Sequence, residues 1–374
     1  MKHALIGLVI FSACATQVHA QAGANFISRL YAAHPEEMAK LKTQTIGKSA
    51  TPKTLPIPPA SAEQKEVAQL ASDLFNANSP RAMIAIKNGQ ILFEGYKAGF
   101  DNQSLMLGTS VSKSLVSVAI GMALCSGKIK SLDDTAGQYV SGLTSPTLKP
   151  VTIRQLLTMT SGSGDSWTIQ STFPINIGYA YGKRYILDDL NAFTNDYKGP
   201  NNRFAYSDHN ANLLGLVLEG ATGQPFATYV HETVWSAMGA EADALIMTDH
   251  QGRSASAGFV WATARDWARL GLFVGDQLQG DKATTCLGQY LQEATRKQTA
   301  TDMGEAADRD TGYGYLMWTN SPDFADGAVV FKGARGQRVS VDPKTRSVLV
   351  TLGTDAGWIR PAYWRTFSAL RELK

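Results

Sequence analysis

Two β-rich stretches near opposite ends of the chain restrict its fold more than any other feature. The first reads M-I-A-I-K-N-G-Q-I-L-F-E-G-Y, with β-rich runs on both sides of Asn88-Gly89. Asn-Gly between such runs is the strongest short signal for a hairpin, because both turn residues tolerate positive φ. The second reads A-V-V-F-K-G-A-R-G-Q-R-V-S-V-D-P-K-T-R-S-V-L-V-T-L. It holds three strand-like runs, broken at 333–336 and at Asp342-Pro343-Lys344. Between these ends the spacing of apolar residues predicts helices over 112–125, 153–159, 211–221, 226–238 and 262–273, and another follows at 363–373. Gly127 is placed to cap the first of them. Strands at both ends with helices between them predict one antiparallel sheet built from both termini. Helices cover it and a mainly helical subdomain sits beside it, an α+β architecture with no regular βαβ alternation.

At 374 residues the chain has room for one large domain or two modest ones. A net charge of +3, with no dense Lys/Arg run, argues against nucleic acid as a partner. Residues 1–20 read as a secretory signal cleaved after Ala20. Met1-Lys2-His3 is a basic start, 4–15 is an apolar run too short to span a bilayer comfortably, and Val18-His19-Ala20 offers small residues at the cleavage positions. A membrane anchor and lipoprotein processing at Cys14 are the competing readings; with the signal removed, no stable membrane span and a periplasmic location are expected. Residues 21–63 read as an extended N-terminal segment, rich in Thr, Pro, Ser and Lys over 43–63, that leads onto one domain at 64–374. Cys125 and Cys286 remain after export, either as a disulfide or as two buried thiols. Neither C-x-x-C nor H-E-x-x-H occurs, so no metal or other cofactor is expected.

The chemistry centres on G-T-S-V-S-K-S at 108–114. If a helix starts here, Ser110 and Lys113 project from one face within reach of each other. The helix N-terminus adds N–H groups suited to a developing oxyanion. Lys113 acts as a base only if burial lowers its pKa, and Val111, Leu115, Val116 and Val118 make its surroundings apolar. The competing reading is a plain helix start, with Thr109 or Ser110 as N-cap and Lys113 in solvent. Two further segments bear on the choice. F-A-Y-S-D-H-N-A-N-L-L-G presents Tyr206 just before a helix, where its phenol would relay a proton or simply pack. In F-K-G-A-R-G-Q, Gly333 permits close approach of backbone to a ligand, with the Ala334 N–H as a second oxyanion donor; a tight two-glycine turn is the alternative.

Together and in this order, the segments resemble the serine β-lactamase and D,D-peptidase superfamily, in particular its class C-like branch with the 6-aminohexanoate-dimer hydrolases and related esterases. L-G-T-S-V-S-K-S-L-V-S-V-A-I-G-M-A-L is similar to that family's nucleophile helix, and V-T-I-R-Q-L-L-T-M-T-S-G and A-T-A-R-D-W-A-R-L-G to other family segments. The resemblance runs over roughly residues 80–370. It implies Ser110 as acylated nucleophile, Lys113 and Tyr206 as general base and acid, and the backbone N–H groups of Ser110 and Ala334 as oxyanion hole. The implied substrate is a small-molecule amide or ester; nothing in the sequence sets the oligomeric state.

Two departures from the family pattern bear on substrate. Phe331-Lys332-Gly333 stands where K-T-G or H-T-G is usual, and Asp208 stands where class C-like lactamases place Asn. Aspartate does not donate to a carbonyl and, ionised, repels a carboxylate. Linear amides or esters therefore rank above β-lactams, with a β-lactamase, a D,D-peptidase or a D-aminopeptidase as the alternative. Asp208 is expected either to bind a substrate amine or to form an Asx turn. Lys332 and Arg335 either meet a substrate carboxylate or face solvent as turn charges. Trp167, Tyr179 and Tyr181 either line an acyl pocket or are ordinary loop packing. A Ser-His-Asp hydrolase using His209, His231 or His250 lacks the G-x-S-x-G elbow. A penicillin-binding-like module that never turns over is the rival outside enzymology.

Overall fold

The structure, a computed structural model, describes residues 30, 33–78, 80–163, 178–193, 203–301, 312–319, 327–353 and 360–374. The 1–20 leader, including Cys14, and Trp167 lie outside the described residues. The strands in chain order are Thr43–Ile46 (β1), Ala82–Lys87 (β2), Gln90–Tyr96 (β3), Met106–Leu107 (β4), Ala244–Met247 (β5) and Val260–Ala262 (β6). Thr299–Ala300 (β7), Gly312–Tyr313 (β8), Trp318–Thr319 (β9), Val329–Gly333 (β10), Gln337–Asp342 (β11) and Ser347–Leu352 (β12) follow. The helices that matter below are Ala62–Ala77 (α1), Val111–Cys125 (α2), Asp208–Thr222 (α3), Ala264–Gln277 (α4), Cys286–Thr295 (α5) and Arg360–Glu372 (α6).

The large sheet runs β3-β2-β12-β11-β10-β9-β8-β7, antiparallel throughout. Its centre joins the two ends of the chain, since β2 pairs with β12 from Ala82↔Leu352 to Lys87↔Ser347. The β2–β3 hairpin turns at Asn88 (φ 52°) and Gly89 (φ 78°), the double positive φ for which Asn-Gly is suited. Every residue of β2 is buried because both faces of the sheet are covered. Its period-2 alternation sends Ala82, Ile84 and Ile86 to the main core and Met83 and Ala85 to a second core against α1 and α6. In that second core lie Leu74, Phe75, Phe367 and Leu370, each worth about 1.5–3 kcal/mol when fully buried. Across the sheet, α4 lays Gly271 against Val339 and Val341, where a Cβ would clash.

Four smaller strands form a sheet not foreseen in the sequence, ordered β1-β5-β6-β4. β1 comes from the segment read as extended chain and buries Ile46. The helix read at 226–238 is continuous, but its centre, His231–Trp235, is wound as a π-helix between Phe226–Val230 and Ser236–Met238. Helix α2 passes between the sheet and the helical subdomain. Twelve of its residues, on all sides, are buried, the mark of a central helix. A disulfide joins Cys125 at its end to Cys286 at the start of α5, with a Cα–Cα distance of 5.7 Å, which settles the alternative between bridge and free thiols.

Candidate active site

Strand β4 delivers the chain to the start of α2 through a two-residue turn. Gly108 donates to the Val260 carbonyl (2.9 Å) and lies so close to the Trp267 indole that a Cβ would collide with it. Thr109 then takes φ 46°, a left-handed conformation that costs a residue with a Cβ about 1–2 kcal/mol. Such strain concentrates at functional sites. The turn sets Ser110 at the helix N-terminus with helical dihedrals and no side-chain capping bond. Its Oγ is therefore not used as a cap, and the helix-start reading that left Lys113 in solvent does not hold: Lys113 is 1% exposed.

Lys113 Nζ donates to three oxygens: Ser110 Oγ (3.1 Å), Asp208 Oδ1 (2.6 Å) and the Ala257 carbonyl (2.6 Å). An ammonium has three N–H donors, enough to serve these three acceptors. The Ala257 carbonyl is held by α3, since the Ala257 N–H donates to Asn212 Oδ1 (3.0 Å) and Ser256 Oγ donates to the Ala211 carbonyl (2.9 Å). Burial pushes the Lys113 ammonium down, but Asp208, with Tyr206, outweighs it and holds the group above the usual lysine range. This corrects the expectation that burial would lower it: the resting lysine is charged. Asp208 is not an Asx-turn residue either. Ser207 caps α3 by accepting from the His209 N–H (3.2 Å), which leaves the Asp208 carboxylate for Lys113.

The Tyr206 phenol lies within hydrogen-bonding reach of Ser110 and Lys113. Burial pushes its pKa up, partly offset by the Lys113 charge, so it rests as a neutral phenol. Its ring stacks on Trp318 (centroids 5.5 Å apart, planes 19°) and meets Tyr313 edge-on, while Lys113 Nζ sits 5.1 Å from its centroid. Trp318, Tyr313 and the Ala257 carbonyl carry no signal in the sequence; a main-chain acceptor has no residue type to read.

On the other side of Ser110, Gly333 adjoins Gly108 and Thr109. A Cβ here would run into Thr109 Oγ1 and the Gly108 carbonyl, although φ −133° suits any residue. The close approach anticipated at Gly333 is thus to the Gly108–Thr109 turn that precedes α2. The turn is fixed from below: buried Gln337 Oε1 accepts from the Gly353 N–H (2.7 Å), and Thr351 Oγ1 donates to the Gly336 carbonyl (2.9 Å). Arg335 is exposed at φ 60°, and Lys332 Nζ lies 5.9 Å from the Trp318 ring centroid. Tyr181 is exposed, whereas Tyr179 is buried, with its phenol on Asp189. The histidines have other partners. His209 Nδ1 meets Ser207 Oγ, His231 Nδ1 the Gly47 carbonyl and His250 Nε2 the Ala180 carbonyl. Among the described residues no group of three His, Cys, Asp or Glu is placed to hold a metal ion.

Comparison with known proteins fits this geometry. The family model described as Beta-lactamase matches residues 81–366. The 6-aminohexanoate-dimer hydrolase of Paenarthrobacter ureafaciens is 25% identical over 285 residues, 73% of this chain and 72% of that protein. A Bacillus anthracis protein provisionally named a 6-aminohexanoate-dimer hydrolase shares the fold at TM-score 0.71 and 18% identity, over 92% of this chain and 93% of its own. A penicillin binding protein from Bacillus halodurans does so at TM-score 0.61 and 21% identity, over 81% and 98%. The chain belongs to the beta-lactamase family and is a serine hydrolase.

Proposed function

We propose that the protein hydrolyses a small amide or ester through an acyl-enzyme on Ser110. Lys113 first gives its extra proton to solvent; as Ser110 Oγ attacks the carbonyl carbon, the neutral amine with Tyr206 takes the Ser110 proton and returns it to the leaving group. The N–H groups of Ser110 and Ala334 stabilise the oxyanion. Water then attacks the ester and restores Ser110. The observation that carries this reading is the buried Lys113 ammonium bonded to Ser110 Oγ at 3.1 Å beside the Tyr206 phenol. Linear amides or esters rank above β-lactams, because Asp208 occupies a place where a donor to a carbonyl would serve a lactam. Lys332 and Arg335 are the candidate partners of a substrate carboxylate, and Trp167 and Tyr181 of its acyl part.

Export fits the same reading. The Cys125–Cys286 bridge suits an oxidising compartment, the periplasm, reached by a signal cleaved after Ala20. Residues 21–63 then lead onto the hydrolase domain at 64–374 and contribute β1 to its small sheet. Among the described residues no helix is long and apolar enough to cross a membrane.

The test is a panel of p-nitrophenyl esters, D-amino-acid amides, 6-aminohexanoate dimer and nitrocefin, run with wild type and Ser110→Ala. Turnover of a linear ester or amide that Ser110→Ala abolishes is expected. Turnover confined to nitrocefin would favour a β-lactamase, and no turnover with stable acylation a binding module.

A further inference from the structure

We propose that Asp208 is the specificity determinant of this site: a cationic amine on the substrate pairs with its carboxylate and so releases Lys113 to accept the Ser110 proton. The inference rests on the acyl-enzyme reading and adds to it a substrate class and an activation step. Of the three acceptors around Lys113 Nζ, Asp208 Oδ1 is the charged one, at 2.6 Å. The two partners differ in access. The Lys113 side chain keeps 2% of its exposure and Asp208 keeps 20%, so a solute reaches the carboxylate and not the amine. A second ammonium on the same carboxylate shares its attraction and repels the first, and both effects favour loss of the Lys113 proton.

Among the described residues, the cation paired with Asp208 is Lys113. Facing Lys113 are Ser110, the Ala257 carbonyl and the Tyr206 phenol. Near Asp208 stand Tyr179, Tyr313 and His209, and behind them Asp189 and Arg184 pair with each other. The three tyrosines are held protonated and the imidazole neutral by burial. Lys332 sits over Trp318, beyond the Tyr206 ring.

The proton balance is as follows. When a cationic substrate binds, Lys113 gives one proton to water by way of the exposed carboxylate and becomes a neutral amine. That amine takes the Ser110 Oγ proton as the Oγ–C bond forms and the carbonyl electron pair moves onto oxygen. When the intermediate collapses, the bond to the leaving group breaks and the leaving group takes this proton, directly or through Tyr206. A neutral substrate leaves Asp208 on Lys113, and the free-amine form stays scarce at neutral pH.

The experiment measures kcat/KM against pH for p-nitrophenyl ω-aminoacyl esters of graded length, paired with esters carrying a methyl group in place of the ammonium. In the wild type, at least one ammonium ester is expected to be hydrolysed about tenfold faster than its neutral twin at neutral pH, with its acidic limb at lower pH. Each pKa unit by which Lys113 falls multiplies its free-amine fraction about tenfold. Asp208→Asn is expected to abolish the preference and to move the neutral ester's limb to lower pH; Asp208→Glu is expected to retain the preference. Coincident limbs for the two esters at every length in the wild type would overturn the proposal even if the Asn variant failed to fold. So would a preference unchanged in Asp208→Asn. In either case Ser110→Ala would still be inactive, whereas undiminished hydrolysis by Ser110→Ala would overturn the acyl-enzyme reading itself.

Discussion

Lys113 combines two demands that the sequence displayed only in part. The S-x-x-K spacing predicts its nearness to Ser110, and the apolar neighbours predict its burial. Its resting charge was not legible, because that depends on Asp208, 95 residues away along the chain and brought to 2.6 Å by the packing of α3 on α2. Asp208 stood out as a departure from the family pattern, but a departure names no partner. Lys113→Ala is expected to lower kcat/KM by about 10²- to 10⁴-fold, the usual worth of a proton-transfer group, in an esterase assay. The same residue predicts an alkaline dependence of stability. Its folded pKa lies above its unfolded value, so the ion pair's contribution is fully present below about pH 10.4 and is lost as pH rises through the folded value. Urea unfolding of the wild type should show that loss in alkali, and Lys113→Ala should lack this component.

The elements hold the site by contacts of two kinds, close backbone approach and covalent linkage. The turn between β10 and β11 presses Gly333 onto Gly108 and Thr109. A Cβ in Gly333→Ala would meet Thr109 Oγ1 and the Gly108 carbonyl, and if the Ala334 N–H is an oxyanion donor as proposed, about a 10²- to 10³-fold fall in kcat is expected. The disulfide acts at the opposite end of α2, 15 residues or roughly 22 Å from Ser110. Replacing Cys125 and Cys286 with serine should therefore cost about 2–4 kcal/mol of stability in denaturant unfolding while kcat stays near the wild-type value. Long elements were legible. The helix read over 112–125 is Val111–Cys125 and that over 211–221 is Asp208–Thr222. Strands of two to four residues such as Met106–Leu107 were not, since so short a run shows no period. Helix α1 was missed although Ser61 and Gln64 form a capping box at its start. The Pro-rich stretch before it drew the reading toward extended chain.

At the scale of the molecule, the α+β architecture and the sheet built from both termini followed from two β-rich stretches and one Asn-Gly turn. The small sheet did not follow, because its strands come from four separated places in the chain. The ion pair of Glu94 with Arg265, two bonds of 2.7 Å, ties the N-terminal hairpin to α4, and α4 in turn lies on the C-terminal strands. The proposed catalytic centre, with Ser110 as its nucleophile, lies within this frame. The most direct measurement is intact-protein mass spectrometry after exposure to a fluorophosphonate, followed by peptide mapping. A single phosphonyl adduct on Ser110, absent from Ser110→Ala along with hydrolytic activity, is the predicted result. An adduct on another residue, such as Ser207 beside His209, or hydrolysis undiminished in Ser110→Ala, would contradict it.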